Sequence, residues 1–157
     1  IHIGQLRDSA LKMITLGKNK RILCASPAYL KKYGQPTVPA DLKHHQCIAL
    51  KENKDDATLW RFTEIKSQKN TNVRISPSLS SNDGRVIKMW AMRGHGIIIR
   101  SEWDVKAEID SKQLVALLPG YQLPNADIVA LLGTAPRHRS ARTLKFLEFL
   151  KSHLADN

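Results

Sequence analysis

Three stretches of the chain put small polar side chains where a helix pattern begins. They are Ser26-Pro27 after Arg21-Ile22-Leu23-Cys24-Ala25, Ser81-Asn82-Asp83 before Gly84, and Arg100-Ser101 after Gly96-Ile97-Ile98-Ile99. Serine, asparagine and aspartate at such places accept hydrogen bonds from the backbone N–H groups left open in a helix's first turn. In open α/β sheets these helix starts ring the crevice where ligands sit. The chemistry on offer is recognition through hydrogen bonds. A plain helix cap uses the same residue types, so the three junctions become a site only where the fold brings them to one cleft.

Covalent or metal chemistry needs an activated nucleophile, an acid/base pair or a ligand cluster, and none stands out. His44-His45 lies in a polar loop, His95 sits between two glycines at a helix end, and His138 lies among arginines. His2 and His153 carry no pattern, and Asp55-Asp56 beside Lys54 reads as a solvated loop. Cys24 and Cys47 lie in separate apolar runs with no C-x-x-C spacing, which reads as two buried thiols in a reducing compartment. Trp60, Trp90 and Trp103 read as core or lobe-interface residues. The chain is not expected to be an enzyme.

The 157 residues carry 25 Lys and Arg against 14 Asp and Glu, a formal charge of +11. Such a balance favours anionic ligands or acidic surfaces. The densest basic groups, Lys18-Asn19-Lys20-Arg21 and Arg137-His138-Arg139 with Arg142, are not interleaved with aromatics for base stacking. They read as solvated surface. No apolar run approaches the roughly 20 residues that cross a bilayer, so no membrane partner is expected. Ile1-His2-Ile3-Gly4 lacks the basic start and long apolar segment of a secretory signal.

The elements that must position the junctions follow from periodicity. Arg21–Ala25, Cys47–Leu50, Gly96–Arg100, Gln113–Leu118 and Asp127–Leu132 read as buried strands. Leu59–Thr63 and Val73–Ser76 alternate like a half-exposed hairpin. Helices are predicted over Ala28–Tyr33 stopping at Gly34, from Ser81-Asn82-Asp83 to Gly94, over Ser101–Ile109, and from Ser140 to the end, with a helical turn at Ala40–Lys43. Leu144, Leu147, Leu150 and Leu154 form the stripe with which the last helix should cover a sheet. The alternation predicts an α/β protein with a mostly parallel sheet and right-handed crossovers.

In order along the chain, Leu23-Cys24-Ala25-Ser26-Pro27-Ala28-Tyr29-Leu30, Pro39-Ala40-Asp41-Leu42 and Cys47-Ile48 resemble the "ASPAYL … PADL … C" pattern of the effector-binding domain of LysR-type transcriptional regulators. Trp60-Arg61-Phe62 resembles that family's W-x-F hairpin, and Ser81-Asn82-Asp83 with Gly94-His95-Gly96-Ile97 its "SND … GxGI" helix and strand. Leu114 to Pro119 resembles its "L-V-x-x-L-P" return strand, and Ile1-His2-Ile3-Gly4 is similar to the second half of its "DLAIRIG" strand. The likeness covers nearly the whole chain and is greatest for the subgroup that includes the CrgA-like regulators.

The resemblance implies a type-2 periplasmic-binding-protein-like fold: two α/β lobes joined by crossing strands, here with the first lobe truncated at its N-terminus. Residues 1–26 and 119–157 would belong to the first lobe (partial) and 27–118 to the second. Ile3 would then border absent sheet neighbours, so the chain is expected to be a piece of a longer polypeptide. A small-molecule effector would bind in the interlobe cleft, lined by Gly4, Gln5, Ser26, Pro27, Ser81, Asn82, Arg100 and Ser101. No cofactor is implied.

The positive balance and Arg100 favour an anion such as a carboxylate, whereas Asp83 argues against one if it faces the cleft, as does Arg100 if it holds a neighbouring acid instead. The intact protein would be a cytoplasmic homodimer or homotetramer, contacting DNA through a winged helix-turn-helix absent from this chain. The effector would act by stabilising one lobe orientation over another. The alternatives are a solute-binding protein of a transport system with the same fold, and direct nucleic-acid binding through the basic surface.

Overall fold

Glycines, prolines and caps break the chain where the periodicity predicts, and the computed structural model describes residues 1–3, 12–51, 56–133 and 140–154. Its contacts divide into two compact units, Ile1–Lys20 with Asn125–Asn157, and Arg21–Pro124. These boundaries differ from 26/27 and 118/119. The strand Arg21–Ala25 is hydrogen-bonded on both edges within the larger unit, and Arg21 Nε donates to the Pro124 carbonyl at 3.0 Å.

In the smaller unit β1 (His2–Ile3) and β2 (Lys12–Gly17) flank β11 (Ile128–Leu132), both antiparallel. Asn19, buried in the basic group after β2, donates through its amide to the Ala126 carbonyl at 3.1 Å, and its backbone N–H donates to Asp127 Oδ1 at 3.1 Å. The closing helix α4 (Ala141–Leu154) contacts β2. Its stripe is shallower than predicted: Leu147, Leu150 and Leu154 are half-buried, Leu144 is exposed, and no α4 side chain is fully buried. Phe146 and Phe149 are each 55 % exposed.

The larger unit is built on β3 (Arg21–Ala25), β4 (Cys47–Leu50), β7 (Pro77–Ser81), β8 (Ile98–Ser101) and β9 (Val115–Leu117). β4 pairs parallel with β7, and a parallel bridge between Cys47 and Ile97 joins β4 to the approach of β8. β3 runs antiparallel to β8 on one side and β9 on the other. The row is therefore β7-β4-β8-β3-β9, with four strands running one way, as a mostly parallel sheet requires, and β3 against them. The apolar texture of β3 and β4 reports burial on both faces. It carries no record of direction.

One face packs α1 (Pro27–Tyr33), a 3-10 turn (Pro39–His44) and the hairpin β5 (Leu59–Glu64) and β6 (Asn70–Arg74), to which β10 (Tyr121–Gln122) adds a strand. The other packs α2 (Gly84–Met92) and α3 (Glu102–Asp110), with Ile87, Ala91 and Val105 fully buried against Cys24, Ile48 and Ile98. Each fully buried isoleucine or valine contributes about 2 kcal/mol. Asp56 anchors the hairpin: Arg74 reaches it at 2.7 Å, and hydrogen bonds from Thr58 and Arg74 hold its carboxyl down at about 2. Asp55 lies outside the described residues.

Candidate functional site

Strand direction decides which junctions meet. β4 and β7 run side by side with Leu50 opposite Ser81, while β3 opposes β8 with Arg21 opposite Ser101 and Cys24 opposite Ile98. Ser81, Asn82, Arg100 and Ser101 therefore gather at one end of the row, with Arg21 beside them. Ser26 and Pro27 lie at the other end, beyond Ala25, roughly 16 Å away across the five-residue β3. The two ends of α2 agree. A Cβ on Gly84 would overlap the Arg100 guanidinium, whereas one on Gly94 would lie 3.7 Å from Ser26 Oγ. Convergence of all three junctions on one place is thus corrected to two, because the strand feeding Ser26 runs against its neighbours.

At the first end, Ser81 Oγ accepts the Asp83 N–H at 3.1 Å, and its carbonyl accepts the Lys51 N–H at 2.9 Å. Asp83 caps α2, accepting the Arg85 N–H at 2.8 Å and its guanidinium at 3.0 Å. Those hydrogen bonds, that of the Arg85 side chain first, hold the Asp83 carboxyl below its usual value. A backbone donor that an incoming anion would need is therefore already engaged by the chain's own carboxylate. Asn82 is exposed, and its side-chain amide makes no hydrogen bond among the described residues.

Arg100 is held as well. Its Nε donates to Asp104 Oδ2 at 2.7 Å, and both side chains are mostly buried, at 13 % and 14 % exposure. Lys88 reaches across from α2, 3.4 Å from Asp104 Oδ1 and 3.0 Å from Glu108 Oε1, and donates to the Asp104 carbonyl at 2.8 Å. Burial alone would depress Lys88, but the hydrogen bond to Glu108 and the charges of Asp104 and Glu108 outweigh it and raise its pKa. Asp104 is the neighbouring acid that Arg100 holds from the end of β8, and Glu108 follows one turn further along α3.

At the other end, Ser26 is buried and its Oγ accepts the Tyr29 N–H at 3.3 Å, so its polar capacity serves the α1 cap. Tyr29 Oη accepts the Gln46 N–H at 2.9 Å and lies 3.1 Å from His45 Nδ1. Pro27 is exposed at the first helical position. Gly4 and Gln5, like His138 and the neighbouring arginines, lie outside the described residues.

Cys24 and Cys47 are free and buried, and burial pushes both thiols up to about 12, far from a reactive thiolate. Among the described residues no group of His, Cys, Asp or Glu could hold a metal ion, and no helix is long and apolar enough to cross a membrane. Trp60 is buried, but Trp103 is 57 % exposed and so is not a core residue.

Residues 1–155 match the family model described as "LysR substrate binding domain". The chain is 42 % identical over 135 residues to the HTH-type transcriptional activator TtdR of Escherichia coli K12, covering 86 % of this chain and 42 % of that protein. It is 34 % identical over 162 residues to the HTH-type transcriptional regulator DmlR of the same strain, covering 100 % of this chain and 50 % of that protein. It thus spans about half the length of the curated relatives it matches or less. These relatives are named as transcriptional regulators, not enzymes.

The regulatory domain of CrgA from Neisseria meningitidis superposes with a TM-score of 0.75 at 28 % identity, covering 98 % of this chain and 74 % of that one. Full-length AphB of Vibrio cholerae has a TM-score of 0.77 at 21 % identity, covering 95 % and 50 %, a likeness of fold. The mixed sheet with an antiparallel β3 is the type-2 periplasmic-binding-protein-like arrangement expected from the resemblance, and the chain belongs to the LysR substrate-binding domain family.

Proposed function

We propose that this chain is the effector-sensing part of a cytoplasmic LysR-type transcription factor that binds DNA through a separate helix-turn-helix and works as a homo-oligomer. The observation that carries this reading is the family match over residues 1–155 together with 42 % identity to an HTH-type transcriptional activator. Relatives named as regulators favour it over a transport solute-binding protein. Catalysis has no part in it.

Within the larger unit, the effector is read at the end of the sheet where β7 and β8 give way to α2 and α3. Asn82 supplies an exposed amide with both donors and an acceptor. Ser81 and Ser101 supply backbone and hydroxyl groups, and Arg100 borders the site from its salt bridge with Asp104. Arg100 and Lys88 are already matched by acids and Asp83 occupies the α2 cap, so the ligand that fits is a small polar molecule bound chiefly by hydrogen bonds. Its binding shifts the population of conformations that the DNA-binding part experiences.

The test is fluorescence anisotropy of the intact protein on DNA from its own upstream region, titrated with a metabolite panel. The expected result is that at least one metabolite changes DNA affinity and that Asn82→Ala weakens this response more than tenfold while melting stays unchanged. A protein that binds no DNA, or a response indifferent to Asn82→Ala and Ser81→Ala alike, overturns it.

A further inference from the structure

The Ser26 end of the sheet carries a hollow of about 560 Å³ that the effector reading leaves unused. The volume lies within the roughly 300–1,000 Å³ of small-ligand pockets. Its walls are Lys32 and Tyr33 from α1, Gln46 and Ser78 at the beginnings of β4 and β7, and Arg93 and His95 just past α2. Among the described residues no acidic side chain lines it.

The charge inventory separates this end from the other. Arg100 and Lys88 each hold a carboxylate, as do Arg74 and Arg85 elsewhere. Lys32 and Arg93 form no ion pair among the described residues. Lys32 Nζ instead lies 4.9 Å from the centroid of the Tyr33 ring. Two unmatched cations bordering one concavity raise the local potential, and an anion seated between them relieves their repulsion. The negative end of the α2 dipole opposes this. Its last carbonyls are engaged, however: Met89, Ala91 and Trp90 accept from the N–H groups of Arg93, Gly94 and His95. A terminal half-charge is also smaller than two full ones.

An aromatic platform lies in the same wall. Tyr33 is 47 % exposed and its ring rests 4.8 Å, centroid to centroid, from that of Tyr29. Tyr29 is itself buried and fixed by the hydrogen bond to its hydroxyl from Gln46. A ring backed by another and half exposed is suited to stacking once the Lys32 ammonium that lies over it turns to the anion. Gln46, Ser78 and His95 add neutral hydrogen-bonding groups.

We propose that this hollow binds a small aromatic organic anion, its carboxylate or phosphate between Lys32 and Arg93 and its ring against Tyr33. Phenyl phosphate is a suitable probe, with inorganic phosphate and phenol as its separated halves, followed on the 157-residue chain by calorimetry and amide NMR. Saturable binding is expected, with shifts concentrated at Tyr33, Gln46, Gly94 and His95, and at least fivefold weaker binding of either half.

Lys32→Glu and Arg93→Glu should each weaken phenyl phosphate at least tenfold, and Tyr33→Ala at least threefold. Lys106→Glu, the same charge change on the exposed face of α3, should stay within twofold, and melting curves should confirm that all four variants fold. Should a glutamate variant fail to fold, Lys32→Gln or Arg93→Gln replaces it with the same expected direction. Equal weakening by Lys106→Glu, shifts scattered over the basic surface, or no binding at all overturns the proposal. Loss of binding on Asn82→Ala would move the probe to the other end of the sheet and overturn it equally, whereas failure here leaves the effector reading at Asn82 intact.

Discussion

Ser26 and Ser81 both stand where a strand gives way to a helix, yet their ends of the sheet are built on different principles. Around Ser81 charge is internally balanced: Arg100, Asp104, Lys88 and Glu108 interlock between α2 and α3, and Asp83 closes the first turn of α2. Around Ser26 the polar groups are neutral and locked, the serine by Tyr29 N–H and the tyrosine hydroxyl between Gln46 and His45, while the cations bordering the hollow have no acid partner among the described residues. A matched network makes a stiff frame for a neutral or polar ligand. Unmatched charge over a stiff neutral floor invites a counter-ion.

Removing one member of the matched network is the harshest way to break this contrast. Asp104→Ala leaves Arg100 and Lys88 mostly buried and facing each other with only Glu108 in reach. Breaking a fully buried pair costs about 3–5 kcal/mol. With these side chains still 13–21 % exposed, a loss of about 2–3 kcal/mol is expected. Chemical denaturation measures it, and Asp104→Asn should recover only part because the charge is still missing. A loss under about 1 kcal/mol would mean that solvent screens the network and the two ends do not differ in this respect.

At the other end a smaller loss is expected, with a distinct pH signature. Burial holds His45 below its ordinary value of 6.5, with the nearby Asp41 charge partly offsetting this and His44 adding to it. The Tyr29 hydroxyl, whose pKa burial pushes up to about 12, keeps its proton throughout. Having accepted the Gln46 N–H, it directs that proton toward Nδ1 and favours the neutral imidazole.

A base whose folded pKa is depressed binds fewer protons folded than unfolded, so this contribution is complete above about pH 6.5 and is lost as pH falls through the unfolded value towards the folded one. Tyr29→Phe should cost about 1–2 kcal/mol at pH 8 by stranding the Gln46 N–H. It should also flatten the decline of stability below pH 6.5, which melting at pH 8, 6.5 and 5 would read. A parallel decline in both proteins would show that the hydroxyl does not govern His45.

The order and extent of most elements are legible in the sequence because each is marked by its own residues. Pro27 opens α1, Gly34 with its positive φ of 80° closes it, Asp83 caps α2, and Gly94 at 82° follows its end. Pro77–Ser81 escaped notice as a strand because it is mostly exposed and serine-rich. The direction of β3 escaped for a deeper reason: Leu23, Cys24 and Ala25 are apolar because both faces are covered, and a two-sided cover looks the same whichever way the strand runs. One reversed strand moves a helix start from one end of the sheet to the other. That single fact divides the predicted site into the residues that meet, Ser81, Asn82, Arg100 and Ser101, and the pair that does not, Ser26 and Pro27.

The mildest test uses two substitutions that sequence alone treats as alike. Ser26→Ala removes a buried cap acceptor and should cost about 1 kcal/mol. Because Ser26 sits away from the effector end, it should leave any effector response of the intact regulator unchanged once the loss of stability is allowed for. Asn82→Ala removes an exposed amide with no internal partner and should change stability by less than about 0.5 kcal/mol. If Asn82 proves as costly to folding as Ser26, its amide has an internal role and the recognition end must be sought elsewhere. If the response follows Ser26, the effector sits at the far end, and the two ends exchange the roles that their charges imply.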